Sequence, residues 1–212
     1  MGNKELSIEE VRHRLTQPLP GREAQLRMAF ARRAEELKLN PYTPEGARIA
    51  CVTLMLWHHN NDWHTVLIQR TSHPKDRHSG QISFPGGKHE KSDGSLRETA
   101  LREAQEEIGI DPGKLEILGQ LTELYIPVSN FIVHPFVGLL SGSPQFLAQP
   151  GEVEAILTPP VQHFQQAENK GSQELVVGTG MLLKDVPCYL VEGRAVWGAT
   201  AMIMSEFLEV LK

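Results

Sequence analysis

Hydrophobic positions alternate between helical and strand periods along the chain. From residue 5 to 40 charged residues dominate, and Leu26, Ala29, Phe30, Arg33, Ala34 and Leu37 recur at helical spacing, which predicts a helical segment. Pro41 to Gly46 carries the residues of a linker or entry turn. Residues 47–57 and 64–70 read as strands, split by His58-His59-Asn60-Asn61-Asp62, a turn-rich hairpin connection. A short strand over 80–84 feeds Pro85-Gly86-Gly87, and helical spacing returns over 96–108. Strands are predicted near 115–124, 131–140 and 152–157, with a loop from Gly138 to Gly151 that carries Pro144 and Pro150. Pro159-Pro160 starts a helix or turn through about residue 167. Two short strands are predicted around Lys184-Asp185 within 174–190, and an amphipathic helix over 198–211. Strands mixed with helices on different sides indicate an α/β/α sandwich with a mixed central sheet, preceded by an N-terminal helical arm. The predicted division is an arm over 1–46 and one domain over 47–212.

The helix over 96–108 has the clearest boundaries. Ser95-Leu96-Arg97-Glu98 fits a capping box. Gly109 suits the C′ position and Pro112 blocks continuation. At about 100° per residue, Leu101, Ala104 and Ile108 fall together with Ala100 beside them, a buried stripe. Glu103, Glu106 and Glu107 fall within an arc of about 100° on the other side. Like charges one turn apart on a helix are mildly destabilising, so a cation is expected to offset them. Hard carboxylate oxygens suit Mg²⁺ or Mn²⁺ over zinc or copper. The preceding Phe84-Pro85-Gly86-Gly87 lets backbone approach a ligand closely. Metal, phosphate and an activated water form one functional package; the bland alternative is a solvated acidic helix face after an ordinary glycine turn.

Composition narrows the remaining classes. The formal charge of −5 lacks the basic footprint of a dedicated nucleic-acid binder. The longest apolar run, Ile49 to Trp57, is far short of a membrane span, and the start Met1-Gly2-Asn3-Lys4-Glu5 lacks a secretion-signal core. The two cysteines, Cys51 and Cys188, sit in apolar surroundings that favour reduced buried thiols over a disulfide. A cytoplasmic home is expected by default. His58, His59 and His64 cluster in sequence, but around a turn without carboxylate or cysteine at ligand spacing.

Two segments resemble a known family. Arg102-Glu103-Ala104-Gln105-Glu106-Glu107-Ile108-Gly109-Ile110 resembles the REUXEEXGU half of the Nudix box at every fixed position. The box also expects a glycine and an acid at set distances upstream, and Gly87 and Asp93 each stand one residue early, as from a single loop insertion. Leu67-Ile68-Gln69-Arg70-Thr71-Ser72 followed by Gly80-Gln81-Ile82-Ser83-Phe84-Pro85-Gly86-Gly87 resembles the signature of the coenzyme A pyrophosphatase branch. Where that signature wants an arginine four residues before the first glycine, this chain has Asp76 between Lys75 and Arg77. Trp197-Gly198-Ala199-Thr200-Ala201 is similar to a short segment of the same branch.

The resemblance implies hydrolysis of a nucleoside diphosphate linked to another group, with Mg²⁺ or Mn²⁺ as cofactor. It implies Glu103 and Glu107 as metal ligands, Glu106 as a further ligand or water carrier, and the Gly87 carbonyl as an added oxygen. Arg102 is expected to orient a neighbouring carboxylate. The general base comes from the box or a later loop, where Glu152 is the candidate beside its reading as a solvated loop acid. For a coenzyme A-like substrate, Arg70, Lys75 and Arg77 are candidate phosphate contacts. Ser72 and Gln81 are candidate hydrogen-bond partners, and Phe84 a candidate apolar contact. Three functions remain open at this point: a coenzyme A pyrophosphatase, a Nudix hydrolase for ADP-ribose, NADH or a modified nucleotide, and a silent Nudix-like binding module. Dimerisation through residues 5–40, or their packing on their own domain, are equally compatible with the pattern.

Overall fold

The computed structural model describes residues 7–39, 44–72, 78–177 and 180–212. Its centre is β1 (Arg48–His59), and nine consecutive residues of β1, Arg48 to Leu56, pair in parallel with β8 (Phe131–Leu140). The sheet order is β2 (Asp62–Thr65), β1, β8, β6 (Leu115–Gln120), with β5 (Gly86–Lys88) also on β1 and β7 (Leu124–Ile126) also on β8. A second sheet orders β4 (Ile82–Ser83), β3 (Leu67–Arg70) and β9 (Val153–Leu157). A third orders β10 (Lys170–Val177), β11 (Met181–Val191) and β12 (Arg194–Trp197).

Because strand side chains alternate, β1 serves two cores. Cys51, Met55 and Trp57 face α4 (Leu96–Ile108) with Ala100, Ala104 and Ile108. Ala50, Leu54 and Leu56 face the opposite layer. That layer holds α5 (Gly198–Val210) and, from the arm, α1 (Ile8–Leu15), α2 (Gly21–Leu26) and α3 (Ala31–Leu39). Val11, Leu15, Met28 and Leu37 share one apolar cluster with Phe207 and Leu208. The described part of the arm therefore packs on its own chain.

Three sequence expectations change. The arm is three short helices, broken where Pro20 caps α2 and before Ala31. The strand expected over 64–70 divides between two sheets, since β2 ends at Thr65 on β1 whereas Leu67 pairs with Leu157. The last helix is buried on every side from Thr200 to Leu208. It reads as amphipathic because Glu206 is charged, yet Glu206 is fully buried, and its carboxylate accepts from the N–H groups of Gly21 (3.2 Å) and Thr122 (3.1 Å) and the Gln25 amide (2.8 Å). Two smaller departures follow local backbone. Asn60 and Asn61 both adopt positive φ (48° and 65°), so the hairpin turn has two residues and the strands take in His58, His59 and Asp62. Strand β11 runs through Lys184-Asp185, with Asp185 at φ 51°.

Both cysteines are buried free thiols. No helix among the described residues is long and apolar enough to cross a membrane.

Glu206 joins the two ends of the fold, so its removal tests the arm. Glu206→Ala is expected to cost about 2–4 kcal/mol, because one buried and two part-buried donors lose their shared acceptor group; Glu206→Gln, which keeps a carbonyl oxygen, costs less. Urea denaturation midpoints of the two variants measure this.

Candidate active site

Helix α4 starts and stops where its caps dictate. Ser95 Oγ accepts from the Glu98 N–H (3.2 Å), and the Glu98 carboxylate reaches back to the Gly94 N–H (3.0 Å). Gly109 closes the helix in the left-handed region, φ 70°. This fixes the acidic face of α4 against the turn into β5. At that turn the Thr53 N–H donates to the Pro85 carbonyl (2.9 Å). Gly86 has φ 152°, and a Cβ there would stand 2.2 Å from the Cys51 carbonyl oxygen. At Gly87 a Cβ would stand 2.5 Å from Glu103 Oε2. The first glycine admits the β1 backbone and the second admits a carboxylate.

Two glutamates are held in that cradle. The Glu107 residue is 2% exposed, accepts from the Gly86 N–H (2.8 Å), and has Arg70 Nη1 3.8 Å from Oε1. Burial pushes its carboxyl up to about 8, against the lowering effect of Gly86 and Arg70, while Glu103 and Glu152 raise it further. Burial also raises the Glu103 carboxyl, opposed by Arg102, with Glu106 and Glu152 adding to the rise. Two desolvated acids one turn apart, backed by a glycine turn, fit a hard divalent cation by their oxygen chemistry and by the cost of leaving them charged alone.

Arg102 organises the other edge. It donates to both Asp93 oxygens (2.8 and 3.0 Å), to Glu106 (2.8 Å) and to the Lys88 carbonyl (3.1 Å), and lies 2.9 Å from Glu103. Asp93 also accepts from the Thr99 hydroxyl and the Glu90 N–H, and Arg102 first of all holds its carboxyl well below the usual range. The one-residue insertion is thus absorbed in the loop, and Asp93 anchors the arginine.

The predicted site residues divide accordingly. Glu103, Glu107 and Gly87 come together, and Glu152 is near enough to act electrostatically on both glutamates. Glu106 does not join them: its side chain is 55% exposed and paired with Arg102. The helical arc allowed convergence, but Arg102 stands between Glu106 and Glu103. Among the described residues no three acidic, histidine or cysteine side chains already stand in a coordination arrangement. Arg102 contacts three carboxylates, Asp93, Glu103 and Glu106. Arg70 pairs with Glu107 at the site edge. Gln81 contacts the His78 ring (3.1 Å), and Ser72 lies exposed beside Gly80. Phe84 is 1% exposed within the main core, so its ring has no surface to offer a ligand. Lys75 and Arg77 lie outside the described residues. Sequence reasoning left Asp93 in doubt, because the loop is one residue off the expected spacing. It missed Gln149, which bonds through main-chain groups that leave no residue signature, and Thr71, whose N–H and hydroxyl bond the Glu152 and Gly151 carbonyls.

Comparison with known proteins settles the family. The model of the NUDIX domain matches residues 48–176. The chain belongs to the Nudix family. Its relatives include Nudix hydrolase 15, mitochondrial, of Arabidopsis thaliana, 33% identical over 149 residues, 69% of this chain and 52% of that protein. The mitochondrial coenzyme A diphosphatase NUDT8 of Homo sapiens is 34% identical over 143 residues, 67% of this chain and 60% of that protein. The matches thus span little more than half of these relatives' length. Among solved structures, the Nudix hydrolase RenU of M. smegmatis aligns with a TM-score of 0.53 at 13% identity, over 77% of this chain and 85% of that one, a likeness of fold.

The Nudix cradle makes a stability prediction. With Glu107 at about 8 when folded and near 4.5 when unfolded, the folded state keeps a proton that the unfolded chain releases. Metal-free stability therefore falls as pH rises from about 4.5 to about 8. Glu107→Gln is expected to flatten that slope, melt no lower than wild type at pH 8 without metal, and lose the melting shift that Mg²⁺ or Mn²⁺ gives the wild type. Thermal melts with and without metal across pH check all three.

Proposed function

We propose that the chain is a divalent-metal-dependent pyrophosphohydrolase that splits the diphosphate of coenzyme A or its thioesters. The products are 3′,5′-ADP and 4′-phosphopantetheine or its acyl form. The observation that carries this reading is the pair Glu103 and Glu107, desolvated against Gly86-Gly87, within Arg102–Ile110, which matches the second half of the Nudix box at every fixed position. When bound there, Mg²⁺ or Mn²⁺ supplies neutralisation of diphosphate charge and acidification of a water. Arg102, anchored on Asp93, keeps Glu103 from turning away. Glu152 takes the proton from the attacking water; its place near both glutamates supports this role. The water oxygen joins one phosphorus and the bond from that phosphorus to the bridging oxygen breaks.

The coenzyme A preference is supported by the Leu67–Ser72 and Gly80–Gly87 segments and by the name of the human relative. Arg70 brings a cation to the site, and Lys75 and Arg77 follow it in sequence as the proposed contacts for the 3′-phosphate. The buried free thiols support a reducing, cytoplasmic setting.

A panel of coenzyme A, ADP-ribose, NADH and dGTP with Mg²⁺ or Mn²⁺ tests the reading. Release of 3′,5′-ADP from coenzyme A is expected, with turnover falling on the order of 10²-fold or more in Glu103→Gln or Glu107→Gln. Preferential turnover of ADP-ribose, NADH or dGTP overturns the substrate, and inert protein overturns the activity. Arg77→Ala is expected to weaken turnover of coenzyme A more than of dephospho-coenzyme A; equal losses remove Arg77 from the 3′-phosphate.

A further inference from the structure

The general base proposed above sits on a segment without regular secondary structure between β8 and β9, and the structure shows how that segment is held. Leu147 and Gln149 donate their N–H groups to the carbonyls of Ile108 and Glu107 (2.9 Å each), so the segment hangs from the last turn of the box helix. Those carbonyls lack partners within the helix, which makes them available. The Gln149 carbonyl accepts in turn from the N–H groups of Glu152 (3.2 Å) and Val153 (3.1 Å). Gly151, at φ 89°, turns the chain back toward β3.

Phe146 packs edge-on against Trp57 and Ala148 joins the apolar cluster under α4, and the remaining hydrogen bonds come from one residue. Thr71 follows β3, and its N–H donates to the Glu152 carbonyl (2.9 Å). Its hydroxyl donates to the Gly151 carbonyl (2.7 Å). The β3–β9 register shifts between Gln69 and Arg70, with Arg70 opposite Val153, so the ladder stops there and Thr71 takes over. The Glu152 backbone is thereby gripped on both sides while its side chain stays exposed. The same strand end carries Arg70, whose guanidinium faces Glu107.

We infer that Thr71 is a positioning residue that holds Glu152 beside the Glu103–Glu107 pair. The inference rests on Glu152 acting as the base of the proposed hydrolysis. Among the described residues, the Thr71 hydroxyl makes the one side-chain hydrogen bond to the segment, and Thr71→Val removes it while keeping the branched shape and the backbone N–H. Thr71→Ser keeps the hydroxyl. A displacement of about 1 Å at a reacting group is worth on the order of 10²-fold in rate, so a loosened segment shows in turnover before it shows in folding.

The test measures kcat and KM for coenzyme A in T71V, T71S, E152Q and T71V/E152Q, with hydrogen exchange over residues 147–153 and over α4. Expected for T71V is a kcat lower by about 10-fold or more, KM within about twofold, faster exchange over 147–153 and unchanged exchange in α4. T71S is expected to match wild type, and the double variant to be no slower than E152Q. Wild-type kcat in T71V, impairment of T71S equal to that of T71V, additive losses in the double variant, or unchanged exchange over 147–153 each overturn the inference. Failure of the proposed function reads differently: wild type leaves coenzyme A intact, or E152Q turns over like wild type. In either case exchange in T71V still decides whether the hydroxyl holds the segment.

Discussion

The structure is built around two carboxylates brought out of water. Glu107 and Glu103 lie where a glycine turn meets the flank of a helix, and each neighbouring element is shaped to let them stay there. Gly86 passes within contact of the β1 backbone, Gly87 leaves room for the Glu103 oxygens, and α4 is capped at both ends so that its face does not drift. An ionised acid in such surroundings is costly unless matched by opposite charge. Arg70 approaches one glutamate and Arg102 the other, and in the proposed reading a divalent cation would complete the balance. Binding strength and latent instability are the same property of this site.

That arrangement depends on β1 being covered on both faces. Its alternate side chains enter separate apolar layers, one under α4 and one under α5 and the arm. A strand so enclosed cannot shift register by one residue without turning an entire apolar row the wrong way. The Gly86 turn, paired antiparallel with Val52, inherits that fixed register, and the site inherits it from the turn.

The sequence showed clearly what local rules govern. The limits of α4, its caps, the glycine turn and the pairing of Glu103 with Glu107 follow from spacing and propensity alone. The two-residue turn at Asn60-Asn61 and the burial of both cysteines were close to legible for the same reason. What did not show were partners chosen by tertiary packing. Glu206 is charged and reads as solvent-facing, yet donors from residues far away make its burial tolerable. Glu106 lies on the correct helical face and is drawn outward by Arg102. Phe84 precedes the glycine turn, a position that suggested ligand contact, and packs inward in the main apolar cluster. Asp93 pairs with Arg102 despite the altered spacing, since a loop tolerates one added residue more readily than a helix does.

The Glu206 junction also sets an order of events at the ribosome. Gly21 and Gln25 are separated from it by 185 and 181 residues. At translation speeds of about 5–20 residues per second, the nascent first helices wait roughly 10 to 40 seconds for their acceptor. During that interval their apolar sides lack the part of their surface that α5 supplies. Slow closure governed by distant contacts follows from a keystone whose partners stand 181 and 185 residues away.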